Sequence, residues 1–520
     1  MSLPKPALLS SFALLAASIT GTLCAQTNPA DTHAANIAPG SQARPPTIHV
    51  YSRETIVDVL VTDDKGQPVR GLTRNDFTIE EDGKPQPIRG FSEFDKNTPP
   101  PPARALPPNT FTNDNKLPAN GPVQIFLFDL GSPPDQMQRA KKYIADYLRS
   151  MPAGTEVAIF ELSPSKGLVL LQGFTSDGHA AAAAVDNLDV EWIRNPAPYT
   201  PIAVAGMNQI AAYVAGIKGR KNLIWIVPGM PLMITRDGGY AGKFAPPDMT
   251  YVHRLMDLYD TFIREQIAIY PLDPDGVHAL GPGALMAMEV ADATGGATDN
   301  TNDYKSEAAK FVDSTSHMYT LSYIPPRPDE DGHYHTITIK LNRPGLHLNY
   351  RPGYNDEQPQ PPDKVLKQQM VQGPMRLGAI PATQLVFYFN IEAPTGKSLA
   401  RLVSSNPPQP HTKGAPYATT FTIDPTQLSL LQQPNGTRTV SIEIDLGAFD
   451  FYGKLVTSRS QTFDITVKPN QLANFYRRPI AFPLAIDLPP GQLTLRAGIF
   501  DTIASKAGTL QTPITVPKKK

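Results

Sequence analysis

The run Val123-Gln124-Ile125-Phe126-Leu127-Phe128-Asp129-Leu130 decides the fold of the central part of this chain. It is almost continuously apolar, as expected of a parallel strand whose two faces are both covered. A helix is predicted after Pro133-Pro134-Asp135, because Met137, Ala140, Ile144 and Leu148 share one helical face. The same alternation of strand and helix repeats along the chain. It predicts an α/β domain with a doubly wound, mostly parallel sheet.

The elements of this domain follow from the hydrophobic periodicity. Further strands are predicted at Glu156–Leu162, Leu168–Leu171, Leu223–Val227, Gln266–Leu272 and His317–Ile324. Further helices are predicted at Pro201–Gly216, Tyr251–Ile263, Ala284–Thr294 and Ser306–Val312. Thr200 is the predicted N-cap of the first of these helices, and Gly295-Gly296 end the third. A hairpin of Tyr334–Leu341 and Leu346–Arg351 is predicted to close the domain at residue 354.

Turns, prolines and composition divide the rest of the 520-residue chain. Alternating segments predict a small β module over residues 48–95. The 55 prolines are about twice the usual share of ~5%, and a cluster of them marks residues 96–121 as a semi-rigid linker. The α/β domain with its hairpin then spans residues 122–354. A linker with a short helix over residues 355–374 leads to a predicted β-sandwich over residues 375–517.

The first residues predict export. Lys5 precedes an apolar stretch from Ala7 to Ile19, and a peptidase cleavage site is expected after Ala25, so that residues 1–25 form a signal peptide. A lipid-modified Cys24 is the rival interpretation. Residues 26–47 are predicted to be disordered. The product is expected in the periplasm or outside the cell, and removal of the only cysteine, Cys24, excludes disulfides and thiol chemistry.

Charge and hydropathy exclude two classes of partner. The formal net charge is -1, whereas a phosphate-tracking surface needs clustered Lys and Arg, so no nucleic-acid partner is expected. The signal segment is shorter than the ~20 apolar residues of a membrane helix, and no later segment is comparable. We therefore expect no membrane span.

Several ordered motifs resemble those of the secreted proteins grouped as VWFA-related Acidobacterial domain proteins. The matching pieces are Val57-Asp58-Val59-Leu60-Val61-Thr62-Asp63, Gly71-Leu72-Thr73, Glu81-Asp82-Gly83-Lys84-Pro85-Gln86, Gly219-Arg220-Lys221-Asn222-Leu223, Ile269-Tyr270-Pro271-Leu272-Asp273, Ala293-Thr294-Gly295-Gly296, Tyr323-Ile324-Pro325 and Arg351-Pro352-Gly353-Tyr354. They cover roughly residues 50–354. The resemblance implies a von Willebrand factor A (vWA) fold, export and a binding role, but no defined biochemical activity.

A working vWA site binds Mg²⁺ through D-x-S-x-S after the first strand, a loop threonine, and an aspartate after the fourth strand. Here Asp129 is present, but Gly131 and Pro133 occupy the serine positions, and Pro228 stands where the second aspartate belongs. Asp129, Ser132 and Thr200 are the residual candidate ligands. They are too few for a dedicated cage, because Mg²⁺ demands near-octahedral oxygen coordination. No cofactor is therefore expected, and weak Mg²⁺ binding is the alternative.

The loops at the carboxyl ends of the strands are long, and ligands of open α/β sheets bind at this edge. Their aromatic and arginine residues are of the types enriched in protein interfaces. The candidates for partner binding are Trp192, Arg194, Tyr199, Arg236 and Tyr240.

Two further constellations favour ordinary explanations. His333, His335 and His347 would suit zinc if they met on neighbouring strands, but the sequence places no carboxylate to orient the rings. Asp299, Asn302 and Asp303 lie in a polar loop that would suit Ca²⁺, but their spacing is not that of an EF-hand.

The sequence thus predicts an exported, non-catalytic protein that recognises a protein partner through a vWA domain with a degenerate metal site. The alternative is Mg²⁺-dependent adhesion through the residual ligands. A secreted hydrolase is the third class, and it lacks an identifiable partner for Ser132.

Overall fold

The computed structural model describes residues 54–95, 106–114, 117, 122–130, 134–190, 199–227, 249–272, 290–298, 317–325, 333–355, 373–392 and 414–518. The predicted signal segment, the segment predicted to be disordered, and the helices predicted at Ser306–Val312 and in the linker after residue 355 lie outside these ranges. Within them, no helix has both the length and the apolar character needed to cross a membrane.

The strands in chain order are β1 Thr55–Thr62, β2 Phe77–Glu81, β3 Lys84–Gln86, β4 Gly90–Asp95, β5 Thr110–Thr112, β6 Val123–Asp129, β7 Val157–Ser163, β8 Gly167–Thr175, β9 Lys221–Ile226, β10 Ile267–Leu272, β11 His317–Tyr323, β12 Tyr334–Leu341, β13 His347–Asn349, β14 Gly353–Asn355, β15 Phe387–Glu392, β16 Ala415–Ile423, β17 Leu431–Gln432, β18 Arg438–Phe449, β19 Leu455–Val467, β20 Ile480–Leu488, β21 Gly491–Asp501 and β22 Lys506–Val516. The helices are α1 Pro134–Arg149, α2 Gly178–Asp186, α3 Tyr199–Val214, α4 Met249–Arg264 and α5 Leu472–Phe475. Residues 290–294 are also helical.

A five-stranded sheet of order β10-β9-β6-β7-β8 forms the centre of the α/β domain. β6 pairs in parallel with β7 and β9, and β9 pairs in parallel with β10. Only the edge strand β8 runs antiparallel to its neighbour. The α/β organisation predicted for this part of the chain is confirmed.

Helices cover the two faces of this sheet. Ile125 and Leu127 of β6 belong to a core completed by α3 and α4, whereas Phe126 and Phe128 belong to a second core completed by α1 and α2. Alternate side chains of a strand point to opposite faces. A strand between two cores is therefore apolar at most positions on both faces, which is the pattern that predicted β6.

The structure corrects the prediction for the chain that follows the α/β sheet. β11, predicted as a strand of the central sheet, instead lies between β1 and β4 in a four-stranded sheet of order β13-β1-β11-β4. β12 lies in a second sheet of order β14-β12-β2-β3, so β12 and β13 do not form the predicted hairpin with each other. The two sheets share one core, which includes Val57, Phe77, Tyr319 and Ile339.

This N-terminal sandwich is therefore built from two separate segments, residues 54–95 and 317–355, with the α/β domain inserted between them. The sequence prediction failed here because it paired strands that are neighbours along the chain, as most strands are. In fact Thr55 pairs with Tyr323 and Ile79 pairs with Ile339.

The last third of the chain forms a β-sandwich, as its regular alternation predicted. One sheet has the order β20-β16-β15-β5, and the other contains β17, β18, β21 and β22, with β19 paired to β18. The segment predicted as a Pro-rich linker contributes β5 to this sandwich, because Phe111 pairs with Phe389 and packs its ring 6.4 Å from it. The side chain of Asn113 also ties this segment to the sandwich, because its Nδ2 donates to Ala382 O at 2.9 Å and to Leu385 O at 2.8 Å.

Candidate functional site

The candidate site lies at the carboxyl edge of the central sheet, where β6 and β9 are neighbours. From β6 the chain continues to β7 on one side, and β9 is reached only after β8, so the strand order reverses between β6 and β9. In open α/β sheets a crevice forms at such a point, outside the carboxyl ends of the strands. Asp129 is the last residue of β6 and so lies at this edge.

Asp129 is buried, with 1% of its surface exposed. The indole Nε1 of Trp225, on β9, donates a hydrogen bond to its Oδ2 at 3.1 Å. Trp225 pairs with Leu127, two residues before Asp129, so both side chains point to the same face of the sheet. An indole N–H is a donor only, so in this contact Oδ2 of the carboxylate accepts a hydrogen bond from a neutral group.

The neighbouring strand β7 ends with polar groups that form hydrogen bonds within the turn that follows it. Ser163 Oγ lies 3.0 Å from Ser165 Oγ and accepts a hydrogen bond from Lys166 N at 3.3 Å. Lys166 Nζ lies 3.4 Å from Glu161 Oε1. Glu161 pairs with Phe128 rather than with Asp129, so it points to the opposite face of the sheet.

Most of the other predicted site residues cannot be compared with the structure. Ser132, Trp192, Arg194, Arg236 and Tyr240, and the predicted acidic loop Asp299, Asn302 and Asp303, lie outside the described residues. Tyr199 and Thr200 open α3. Thr200 is therefore inside the first turn of the helix, and its prediction as the N-cap is wrong by position.

The histidines differ from their prediction in two ways. His335 and His347 lie on strands of different sheets, so the trio with His333 does not form across one strand pair. Carboxylates do orient their rings: His335 Nδ1 lies 2.8 Å from Asp82 Oδ2, and His347 Nε2 lies 3.0 Å from Asp64 Oδ1. A third pair, His317 Nε2 with Glu93 Oε1 at 3.0 Å, was not predicted.

Each of these pairs joins the segment 54–95 to the segment 317–355. The sequence did indicate the turn that carries one of these carboxylates, because Asp82-Gly83 is a dipeptide that a tight hairpin turn prefers. Asp82 and Gly83 have φ of 49° and 74°, as a two-residue turn between β2 and β3 requires. What the sequence could not show is that β12 lies beside that turn.

Among the described residues, one group of three or more His, Cys, Asp or Glu side chains brings its ligand atoms within 4.8 Å of one another. It consists of Glu81, Asp82 and His335, and it lies in the N-terminal sandwich. In the described part of the chain Asp129 belongs to no such group.

No protein-family model matches the sequence, and no curated protein matches it. Solved structures with some likeness include an aerotolerance-related membrane protein from Bacteroides fragilis with multiple mutations to serines, at 14% identity, a TM-score of 0.25 and coverage of 37% of this chain and 98% of that chain. They also include the SpRpn10 VWA domain, at 12% identity, a TM-score of 0.24 and coverage of 36% and 93%. BatB from Bacteroides thetaiotaomicron matches at 14% identity, a TM-score of 0.24 and coverage of 37% and 99%. Likenesses this partial do not assign a family or a function.

Proposed function

We propose that this chain is an exported, non-catalytic protein that binds a protein partner through a vWA-type domain without an obligatory metal ion. The composition of residues 1–25 is the basis for export, to the periplasm or beyond. The ordered motifs between residues 50 and 354 support membership of the VWFA-related Acidobacterial domain proteins.

The observation that carries the proposal is the hydrogen bond between Trp225 and Asp129. A vWA metal site needs this carboxylate together with two serine hydroxyls and a second aspartate, and here those positions hold Gly131, Pro133 and Pro228. The one remaining acid is 1% exposed and accepts the indole N–H at 3.1 Å. An ion would have to displace this hydrogen bond, and the rest of its oxygen ligands would have to come from groups other than the usual vWA positions.

The strand order supports the choice of binding surface. Counted in chain order within the sheet, β8-β7-β6-β9-β10 is the order 3-2-1-4-5 of doubly wound domains, whose ligands bind where the order reverses. The long segments Pro228–Pro247 and Asp273–Gly283 follow β9 and β10 in the sequence. Arg236 and Tyr240 belong to the first of these segments, and Trp192 and Arg194 to the segment before α3.

Site-specific photo-crosslinking in the source organism tests the proposal. A photoreactive phenylalanine is placed at Trp192, at Tyr240 and, as a control, at Tyr388, which is 43% exposed in the C-terminal sandwich. We expect one envelope protein to be crosslinked from Trp192 and Tyr240 but not from Tyr388, equally with EDTA and with Mg²⁺. Equal crosslinking from all three positions contradicts the choice of surface.

Mg²⁺-dependent adhesion is the alternative, favoured by the retention of Asp129 at the tip of β6. Crosslinks that EDTA abolishes and Mg²⁺ restores would establish it in place of our proposal. Calorimetric titration of the full chain with Mg²⁺ and Mn²⁺ is the direct check. Micromolar binding that Asp129→Ala abolishes would show that the site still functions.

A further inference from the structure

The turn between β2 and β3 brings two carboxylates against the first residues of β12. Glu81 pairs with Ile337 across the sheet. Asp82 follows in the turn, where its N donates to Thr336 O at 3.0 Å. The imidazole of His335 then lies beside the Asp82 carboxylate, with Nδ1 and Oδ2 2.8 Å apart. The ligand atoms of all three side chains lie within 4.8 Å of one another.

The burial of this trio is uneven in a way that suits a bound ion. Glu81 and His335 are each 4% exposed, whereas the side chain of Asp82 is 33% exposed. The buried pair is shielded from water, which strengthens electrostatic interactions with a cation. Asp82 provides the side of the site that opens to solvent.

Two phenols hold the Glu81 carboxylate from behind. Tyr323 Oη and Tyr354 Oη both donate to Glu81 Oε2, the latter at 3.0 Å. These donors fix the orientation of the carboxylate, as the outer partners of metal-binding carboxylates do. Asp82 is fixed in the same way, since Thr336 N donates to its Oδ1 at 2.9 Å.

The guanidinium carbon of Arg351 lies 5.6 Å from the centre of the Tyr354 ring. Its Nη2 donates to Ile56 O at 2.8 Å. Arg351 therefore packs against one of the two phenols that donate to Glu81.

We propose that Glu81, Asp82 and His335 bind one divalent transition-metal ion of the zinc class. An imidazole nitrogen with two carboxylates is a donor set that Zn²⁺ accepts, with a water as the fourth ligand. Mg²⁺ and Ca²⁺ prefer sites made only of oxygen atoms, so the imidazole disfavours them. Bonds of about 2.1 Å hold two tetrahedral ligand atoms roughly 3.4 Å apart, so Nδ1 and Oδ2 need to open only slightly as the ion replaces the shared proton.

The ion would link the two chain segments that form the N-terminal sandwich. Glu81 and Asp82 belong to the segment that precedes the inserted α/β domain, and His335 belongs to the segment that follows it. A ligand that binds only the folded state stabilises it, and the stabilisation grows with the logarithm of the ligand concentration over the dissociation constant. Zinc binding therefore raises the melting temperature of the sandwich.

Calorimetric titration of the full chain, stripped of metal and free of any histidine tag, tests the proposal with ZnCl₂ as the probe. We expect one ion per chain with micromolar affinity or better, and no competition from millimolar MgCl₂. His335→Gln and Asp82→Asn should abolish this binding, and Tyr354→Phe should weaken it by about tenfold. His347→Gln is the matched control, because the pair of His347 with Asp64 is exposed and has no third ligand among the residues that the structure describes. This variant should leave the titration unchanged.

Cobalt provides a readout that depends on no variant. CoCl₂ added to the unmodified chain should give visible d–d absorption typical of four-coordinate Co²⁺, and one equivalent of Zn²⁺ should remove it. Absence of saturable Zn²⁺ binding, or binding that His347→Gln reduces as much as His335→Gln does, would overturn the proposal. Neither result bears on Asp129, which the Mg²⁺ titration tests separately.

Discussion

The indole Nε1 of Trp225 lies 3.1 Å from Oδ2 of Asp129, and it joins the first and fourth strands of the central sheet at the edge where their order reverses. Both residues are buried. The contact gives Asp129 a structural role that needs no ion.

Trp225→Phe removes the donor and leaves the buried carboxylate with one partner fewer. We expect the free energy of unfolding to fall by about 1–3 kcal/mol beyond the loss of ring volume, measured by urea denaturation. The double variant Trp225→Phe, Asp129→Leu removes both polar groups and should recover part of that loss. A cost for Trp225→Phe that is the same in both backgrounds would contradict the coupling of the two side chains.

Thr383 connects the C-terminal sandwich to the end of α3. Its Oγ1 donates to Tyr213 O at 2.8 Å and accepts from Gly216 N at 2.8 Å, so it satisfies backbone groups that the end of the helix leaves unpaired. Thr383→Val keeps the shape and removes the hydroxyl, and should lower the free energy of unfolding by about 1–3 kcal/mol. Thr383→Ser retains the hydroxyl and serves as the control. A loss for Thr383→Ser with none for Thr383→Val would show that the methyl group matters, not the hydrogen bonds.

Asp445 should make stability depend on pH. Burial raises its pKa from the usual 3.8 to about 6, the negative charge of Glu443 adds to this, and a hydrogen bond from Ser460 opposes it. Because the folded pKa is the higher one, the stabilising contribution of the protonated form is complete below pH about 4 and is lost as the pH rises through about 6. Above pH about 6, Asp445→Asn should therefore be more stable than the parent chain by about 2 kcal/mol.

The check for Asp445 is urea denaturation at a series of pH values. The parent and the variant should be about equally stable near pH 4 and should diverge as the pH increases. Asp464→Asn, on the exposed side of β19, controls for the loss of a surface charge. A constant difference between parent and Asp445→Asn across the series would contradict the assignment.

Local patterns sufficed for most elements of the α/β domain and failed for the sandwich around it. β6 and α1 were predictable because their burial imposes a period that the sequence displays. α2 was missed because its run of alanines carries little periodicity, although Asp177 caps it by accepting from His179 N and Ala180 N. The pairing of β1 with β11 was not predictable, because nothing local in Thr55 or Tyr323 encodes a partner on the other side of an inserted domain.

The candidate site, like the fold, could be predicted only in part from the sequence. That Asp129 ends a buried strand could be read from the sequence, and the missing serines argued against a metal site there. That Trp225 satisfies the carboxylate depends on the register of β6 against β9, which only the structure gives. The meeting of Glu81 and Asp82 with His335 depends in turn on the long-range pairing of β2 with β12.

Close packing requires a glycine at position 296, the last residue of the motif Ala293-Thr294-Gly295-Gly296. The helix of residues 290–294 ends as predicted, with Gly295 at φ +74° and Gly296 N donating to Ala291 O at 2.8 Å. A Cβ on Gly296 would lie 1.8 Å from the carbonyl oxygen of Ile269 in β10. Backbone of the central sheet would have to move to admit it, so Gly296→Ala should cost about 3 kcal/mol or more.

The measurement for Gly296 is urea denaturation or, if the variant is poorly soluble, the yield of folded chain. Gly173→Ala is the matched control, because its Cβ would meet only Tyr213 Oη at an ordinary 3.5 Å, and it should change stability by no more than about 1 kcal/mol. The contrast separates a steric requirement from the general entropy difference between glycine and alanine. If Gly296→Ala were as stable as Gly173→Ala, the close approach of Gly296 to β10 would not exclude a side chain at this position.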